Sequence, residues 1–448
     1  MSAPNHSPSP ATAWAAPVAG KILDATVSIP GSKSLTNREL VLSSLANSPS
    51  TLRGGLVARD TELMMTALEQ LGATITRREE GGQQRWDITP MSFKDIAPQP
   101  IVIDCGLAGT VMRFVPPLVL LGFQPVRFAG DPQAHSRPMS GVIEGLRQLG
   151  ARVDDEGRGT LPFEVQPGGL PSLDHTITID ASASSQFVSG LLLVAPRLPA
   201  PLTIQHSGSS LPSLPHIEMT LACLADHGVS VDQVHGNEWT VAPQPISGGE
   251  VFIEPDLSNA APFLAAALVA GGEVRIAAWP EHTTQVGALL PQLLREFGAH
   301  VDVEDGTLTV QGAGLGPGVA LDAVSMDLSA AGELAPTLVS LSLFSRGTST
   351  FRGIGHLRGH ETDRLAALVE NITALGGVAT ETADGLIVTP APLHGGVWRA
   401  FGDHRMATSG ALVGLATPGV VVDDIDQTAK TLPEFVTLWE AMIAGDRP

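Results

Sequence analysis

The chain of 448 residues contains no tyrosine and only two cysteines, Cys105 and Cys223. The first absence excludes tyrosyl chemistry. The second excludes a disulfide framework and a four-cysteine zinc site, and two free thiols fit a reducing compartment. Positive charge is scarce: 26 Lys and Arg stand against 46 Asp and Glu, for a net charge of −20. That balance argues against a nucleic-acid partner held by bulk phosphate attraction. The longest uncharged apolar stretch, near Ala260 to Gly272, falls short of the ~18 residues a membrane span needs, so no membrane association is expected. The histidines have no metal-ligand spacing, so neither a metal nor a cofactor is expected. Residues 1–20 are rich in Ser, Pro and Ala, with no cationic start before an apolar core. They read as a mobile tail and not as a secretory signal, which makes the cytoplasm the expected compartment.

What is present is apolar bulk and repetition. Hydrophobic residues make up 43%, enough for large cores, and the length favours two domains over one. Segments that open with small or polar residues and continue as apolar helices recur at Ser32, Ala108, Ser184, Ser258, Ala330 and Asp403, spaced 72 to 76 residues apart. A second helix in each unit runs into a glycine, at Gly72, Gly150, Gly228, Gly298 and Gly376, the residue suited to a left-handed helix stop. Glycine-centred hairpins follow, as in ARVDDEGRGTLPFEV and AHVDVEDGTLTV. The spacing predicts an α/β fold of six strand–helix–strand–helix–strand–strand units, three per domain. The sixth unit lacks its hairpin, and a strand over Lys21 to Ile29 is expected to complete the C-terminal half. The predicted organisation is a tail over 1–20, one domain over 21–30 plus 255–448, and a second over 31–254. The chain then crosses near Pro30–Gly31 and near Glu254–Asp256.

Polar residues concentrate at the helix starts. A helix N-terminus presents unpaired N–H groups and partial positive charge, so several starts facing one cleft would bind anions. Lys33 and Lys430, two of only four lysines (the others are Lys21 and Lys94), fall at such starts. A cationic pocket in an acidic protein suits a small anionic substrate. Each motif also has a plainer reading. Ser32 and Ser34 alone would be caps, but Lys33 and Arg38 beside them oppose the helix dipole. Ser184–Ser185–Gln186 fits a cap and a ligand contact equally. GHETDR fits a solvated helix start with an Arg364 ion pair as well as a site. Asp403–His404–Arg405 could be a structural hydrogen-bond group. Glu333 stands alone on an apolar helix, where a carboxylate is costly without a ligand or partner.

The segments PGSKSLTNR, GLAGTVMRF, SRP, SASSQF, GHETDR, DHRMA and TAKTLPEF, running from Pro30 to Phe435, together resemble the 5-enolpyruvylshikimate-3-phosphate synthase family. The resemblance implies two similar domains of three βαβαββ repeats each, the inside-out α/β barrel of enolpyruvyl transferases. It implies transfer of the enolpyruvyl group of phosphoenolpyruvate to the 5-hydroxyl of shikimate 3-phosphate. Phosphate is released by addition–elimination through a tetrahedral intermediate, on the route to chorismate and the aromatic amino acids. It implies shikimate-phosphate contacts at Lys33, Ser34, Arg38, Ser184, Ser185, Gln186, Ser213, Glu333 and His360. It implies a phosphoenolpyruvate clamp of Lys33, Gly109, Arg137, Arg364, Arg405 and Lys430, with Arg113 supporting that wall. Glu333, Lys33, Glu361 and His404 are the implied acid–base groups, with Glu333 as base. Leu107 stands where the family often has Asn, His216 in a region where Tyr is common, and His360 where many members have Lys. A monomer acting on two small phosphorylated substrates is expected. Two rivals remain: the sister enolpyruvyl transferase acting on a UDP-sugar (UDP-N-acetylglucosamine), and a non-catalytic anion-binding protein on the same scaffold.

Overall fold

The computed structural model describes residues 12–92, 100–208, 211–316 and 320–445. Residues 1–11 of the expected tail and Lys94 lie outside them. The first helices of the six units are Lys33–Leu45, Gly109–Phe114, Gln186–Val194, Leu257–Ala270, Ala335–Ser342 and His404–Gly414. Short polar side chains cap three of them. Ser32 Oγ accepts from Leu35 N, Asp256 Oδ1 from Asn259 N, and Asp403 Oδ1 from Arg405 N, pairing N–H groups that the helix itself leaves open. Two helices are shorter than the apolar pattern predicts. The second ends at Phe114 and passes into a 3₁₀ turn, Pro116–Leu121, because proline lacks the N–H and clashes with the preceding turn. The fifth opens as a 3₁₀ turn, Gly332–Leu334, ahead of Pro336. Arg59–Gln70, Ser140–Gln148, Leu214–Asp226, Leu290–Glu296 and Arg364–Ala374 are second helices. They stop just before Gly72, Gly150, Gly228, Gly298 and Gly376, whose φ values lie between 77° and 96°. A side chain is disfavoured in that conformation.

The strands form five four-stranded sheets and one three-stranded sheet among the described residues. The third unit shows the pattern. His175–Ile179 pairs in parallel with Leu202–His206, which pairs antiparallel with Glu238–Val241, and Asp232–His235 closes the hairpin. Two units exchange their first strands. Leu23–Val27 pairs in parallel with Gly272–Ile276 of the fourth unit. Glu250–Phe252 pairs in parallel with Ser50–Arg53 of the first. The exchange brings the connecting segments side by side. Gly31 bridges Pro255, Ser32 N donates to Glu254 O at 2.7 Å, and Asp256 N donates to Pro30 O at 2.8 Å. Glycine is required at position 31, since a Cβ there would lie 2.0 Å from the carbonyl oxygen of Gly54.

The expected mobile tail is corrected from Thr12 onward. Trp14–Ala15 forms a strand antiparallel to Val420–Val422. Ala16 N donates to Val420 O at 3.0 Å, Ile425 N donates to Thr12 O at 3.1 Å, and Thr12 Oγ1 donates to Asp426 Oδ2 at 2.6 Å. This short strand occupies the place of the sixth unit's missing hairpin. The strand expected over Lys21 to Ile29 runs only over Leu23–Val27 and serves the fourth unit. The physical reason is an open edge: without Trp14–Ala15, the apolar Val420–Val422 would present unpaired backbone groups to solvent.

The buried apolar side chains form two cores. One joins Ala16 to Ile29 with Leu257 to Met442, and the other runs from Leu40 to Ile246. Deleting residues 1–16 should destabilise the first core's half by about 2 kcal/mol, from lost hydrogen bonds and edge cover. The check is urea unfolding of the truncated and full chains, where an unchanged midpoint would contradict the bracing role of the arm.

Candidate active site

A cleft enclosing about 800 Å³, part of it open to solvent, lies where the helix starts of the two cores face each other. The half built on Leu40 to Ile246 supplies Lys33, Ser34, Gly109, Arg113, Arg137, Ser184, Ser185, Gln186 and Ser213 to its walls. The other supplies Glu333, His360, Glu361, Arg364, His404 and Arg405. Two residues singled out from the sequence are absent from the lining. Lys430 lies immediately behind it, with Nζ donating to Glu361 Oε1 at 2.6 Å and to the Leu107 carbonyl at 3.2 Å. Arg38 is wholly buried and packs over the Phe114 ring at 5.2 Å. Its guanidinium donates to Thr220 Oγ1 and to the carbonyls of Ser34 and His216, all at 2.8–2.9 Å. Arg38 therefore fixes the backbone that carries two lining residues. Burial lowers its pKa to about 10.

The carboxylates organise the cations. Glu333 is not alone: Oε2 accepts from Arg405 Nη2 at 2.9 Å and Oε1 from Ser258 Oγ at 2.8 Å. Burial acts to raise its pKa, but Arg405, the Ser258 hydroxyl and Lys33 outweigh burial and bring it to about 2. Glu361 is buried among Lys430, Arg364 Nη2 at 3.1 Å and Arg137 Nη1 at 3.9 Å. Burial works against its charge, yet these cations hold it well below the ordinary carboxylate range. Arg364 is 2% exposed and grips Asp403 through Nε at 2.7 Å and Nη2 at 3.2 Å. GHETDR is thus no solvated helix start, but one side of a buried, two-pronged ion pair. Asp403 has the structural part of its motif, while His404 projects into the cleft with neither ring nitrogen hydrogen-bonded. Burial, then Arg405 and Lys430, push the His404 pKa well below its usual value.

The remaining wall is shaped by backbone. At Gly109 a Cβ would lie 2.7 Å from Arg113 Nη1 and 3.0 Å from Arg137 Nη2, so only glycine lets both guanidinium groups crowd there. Ser213 adopts φ 54°, a costly conformation for a serine and one that clusters at functional sites. Ser184 Oγ accepts from Gln186 N at 3.3 Å, which favours the cap reading, whereas Ser185 makes no such bond. At Leu107 it is the main chain that acts: its carbonyl also accepts from Arg137 Nη1 at 3.0 Å.

Sequence reasoning missed His356, Ser258 and Asp60. His356 lines the cleft, packs edge-on against His360 at 5.7 Å and has a buried, unpaired Nε2. Its spacing of one helical turn from His360 was the available signal. Asp60 Oδ2 lies 3.5 Å from Lys33 Nζ, and no sequence feature linked the two. Among the described residues, no group of three or more His, Cys, Asp or Glu could hold a metal, and no helix is long and apolar enough to cross a membrane.

Comparison with known proteins places this geometry. A family model described as EPSP synthase (3-phosphoshikimate 1-carboxyvinyltransferase) matches residues 18–439. A 3-phosphoshikimate 1-carboxyvinyltransferase from Kocuria rhizophila is 51% identical over 438 residues, covering 97% of each chain. Among solved structures, an EPSP synthase from Acinetobacter baumannii superposes with a TM-score of 0.76 at 22% identity, over 95% of this chain and 97% of that one. The enolpyruvyl transferase NikO from Streptomyces tendae superposes with a TM-score of 0.73 at 18% identity, over 95% and 96%. These two likenesses carry the α/β fold.

The cleft histidines give a pH prediction. Burial first, then neighbouring cations including Arg38 and Lys33 for His216 and Arg364 for His356, lower both pKa values from 6.5 to about 4. Between these values the unfolded chain takes up protons that the folded chain refuses, so stability falls as pH falls from 6.5 to about 4 and is unaffected above that window. His216→Gln should flatten the dependence of Tm on pH across that window in calorimetry. An unchanged slope would contradict the assignment.

Proposed function

The chain belongs to the EPSP synthase family, and from that premise we propose how its cleft carries out 3-phosphoshikimate 1-carboxyvinyl transfer. The protein is a transferase of the shikimate pathway. The reading of the site rests on one observation: Lys33, Arg137, Arg364 and Arg405 converge on a single cleft that also holds Glu333. Two phosphorylated substrates, shikimate 3-phosphate and phosphoenolpyruvate, suit that charge. Ser34, Ser184, Ser185, Gln186, Ser213 and His360 supply hydrogen bonds for the first. Arg137, Arg364 and Arg405, with the open backbone at Gly109, face the carboxylate and phosphate of the second, and Lys430 adds its charge from behind the wall through Glu361. Guanidinium groups match both anions in two-pronged geometry.

The reaction needs a base for the substrate hydroxyl and an acid for the methylene carbon of the enol. The hydroxyl oxygen attacks the enol carbon and loses its proton, and the methylene carbon gains one. Phosphate then leaves with the C–O electrons while the methyl carbon returns a proton to the group that supplied it, which re-forms the C=C bond, and the proton taken up by the base passes to the departing phosphate. Glu333 is ionised, which a base requires, but its pairing with Arg405 makes it weakly basic. An incoming phosphoenolpyruvate anion competes for Arg405 and restores basicity to Glu333, so the second substrate prepares the base. Glu361 is held as an anion by its cations, which leaves Lys33 as the better proton donor. His404, neutral and with neither ring nitrogen hydrogen-bonded among the described residues, is free to bond the intermediate. The fixed cations stabilise the charge gathered on the tetrahedral carbon. Because one chain builds the whole cleft, a monomer suffices, and the free buried thiols Cys105 and Cys223 suit the cytoplasm. Neither thiol lines the cleft, and the UDP-sugar reading is not favoured by the family match.

The test is phosphate release from shikimate 3-phosphate plus phosphoenolpyruvate, with UDP-N-acetylglucosamine as the control acceptor. Release with the first acceptor only is expected. Glu333→Ala should lower kcat by about 10²- to 10⁴-fold, the usual contribution of a positioned acid–base group, with much smaller changes in KM. Near-normal kcat would remove Glu333 from the mechanism.

A further inference from the structure

We infer that Asp256 is a positioning residue for the reaction, because its one carboxylate caps two helices from opposite sides of the cleft. Oδ1 accepts from Asn259 N at 3.0 Å, at the start of Leu257–Ala270. Oδ2 accepts from Lys33 N at 3.1 Å, at the start of Lys33–Leu45. The first helix packs in one hydrophobic core and the second in the other. Asp256 is 8% exposed and is delivered to this spot by the paired connecting segments, through Asp256 N donating to Pro30 O. Gln285 steadies the same segment: Oε1 accepts from Leu257 N at 3.1 Å, and Nε2 donates to Glu254 Oε2 and to the Pro255 carbonyl at 2.8–2.9 Å.

What each capped helix carries gives the double cap its consequence. One starts with Lys33 and Ser34, both in the cleft wall. The other starts with Ser258, which holds Glu333 Oε1, and Asn259, whose Nδ2 donates to the Thr431 carbonyl at 3.0 Å beside Lys430. The carboxylate therefore sets the spacing between the proposed acid, Lys33, and the proposed base, Glu333, without touching substrate. Reacting groups displaced by about 1 Å can lose about 10²-fold in rate. A carboxylate is needed for both bonds: an Asn side chain keeps one acceptor oxygen and turns an N–H toward the other donor.

This inference rests on the proposed reaction, so wild-type phosphate release with both substrates is measured in parallel. Absence of wild-type turnover would sink the functional reading itself, separately from Asp256. With an active wild type, Asp256→Asn is expected to lower kcat at least about tenfold, with both KM values within about threefold and cooperative melting retained. Asp256→Ala should lose more. Ser258→Ala also reduces kcat, and combining it with Asp256→Asn should cost less than the product of the single losses, since both act through the start of Leu257–Ala270. A D256N kcat within about threefold of wild type overturns the inference. So does a loss confined to KM, strict multiplicativity with S258A, or a D256N chain that no longer melts cooperatively.

Discussion

Cations gathered into a cleft repel one another, and in this protein four carboxylates hold five of them in place. Asp60 stands by Lys33, Glu333 binds Arg405, Asp403 binds Arg364, and Glu361 sits between Arg137, Arg364 and Lys430. Two like charges 4 Å apart at an effective dielectric near 20 cost about 4 kcal/mol, so an unpartnered set would drive the two halves apart. Each carboxylate does this at a different depth. Asp403 and Glu361 are buried and bind their cations firmly, whereas Glu333 lies in the wall, where a substrate anion can compete for Arg405. In the proposed reaction, the same interaction that holds the cations together therefore leaves one carboxylate to be released by substrate.

The cations stand at the right place because the chain uses one element six times. Each unit sends the start of its first helix toward the centre, and the starts carry the polar residues. Position within the cleft is then set by the strand exchange. Leu23–Val27 completes the sheet of the fourth unit and Glu250–Phe252 that of the first, and the connecting segments pair at Gly31 and Pro255. That pairing brings Asp256 within reach of both helix starts. The architecture thus joins the two cores through a short, hydrogen-bonded junction that contacts the helix starts carrying Lys33 and Ser258.

Much of this was legible from periodicity alone. Helix starts were readable because Ser, Asp and Gly are local signals, set by backbone N–H groups and left-handed stops within a few residues. The corrections share a different origin. Trp14–Ala15 lies in a stretch whose composition suggests a mobile tail, yet it closes the edge of a strand more than 400 residues away. The contacts of Arg38 were likewise hidden: its helical turn points it at Phe114 and Thr220. Asp60 bears no local mark, while His356 has only its spacing from His360 and Ser258 only its place at a helix start; each matters through a contact with a residue from another turn or another unit.

The sequence by itself determined the six-fold repeat, the α/β class, the cationic helix starts and the family, because each is written in spacing or in short motifs. Only the tertiary structure decided which carboxylate faces which cation, which strand closes which sheet, and that a single aspartate serves two helices. Those are pairings between distant segments at 2.6–3.9 Å. Such distances depend on how the chain crosses between its cores, a property that no local pattern encodes.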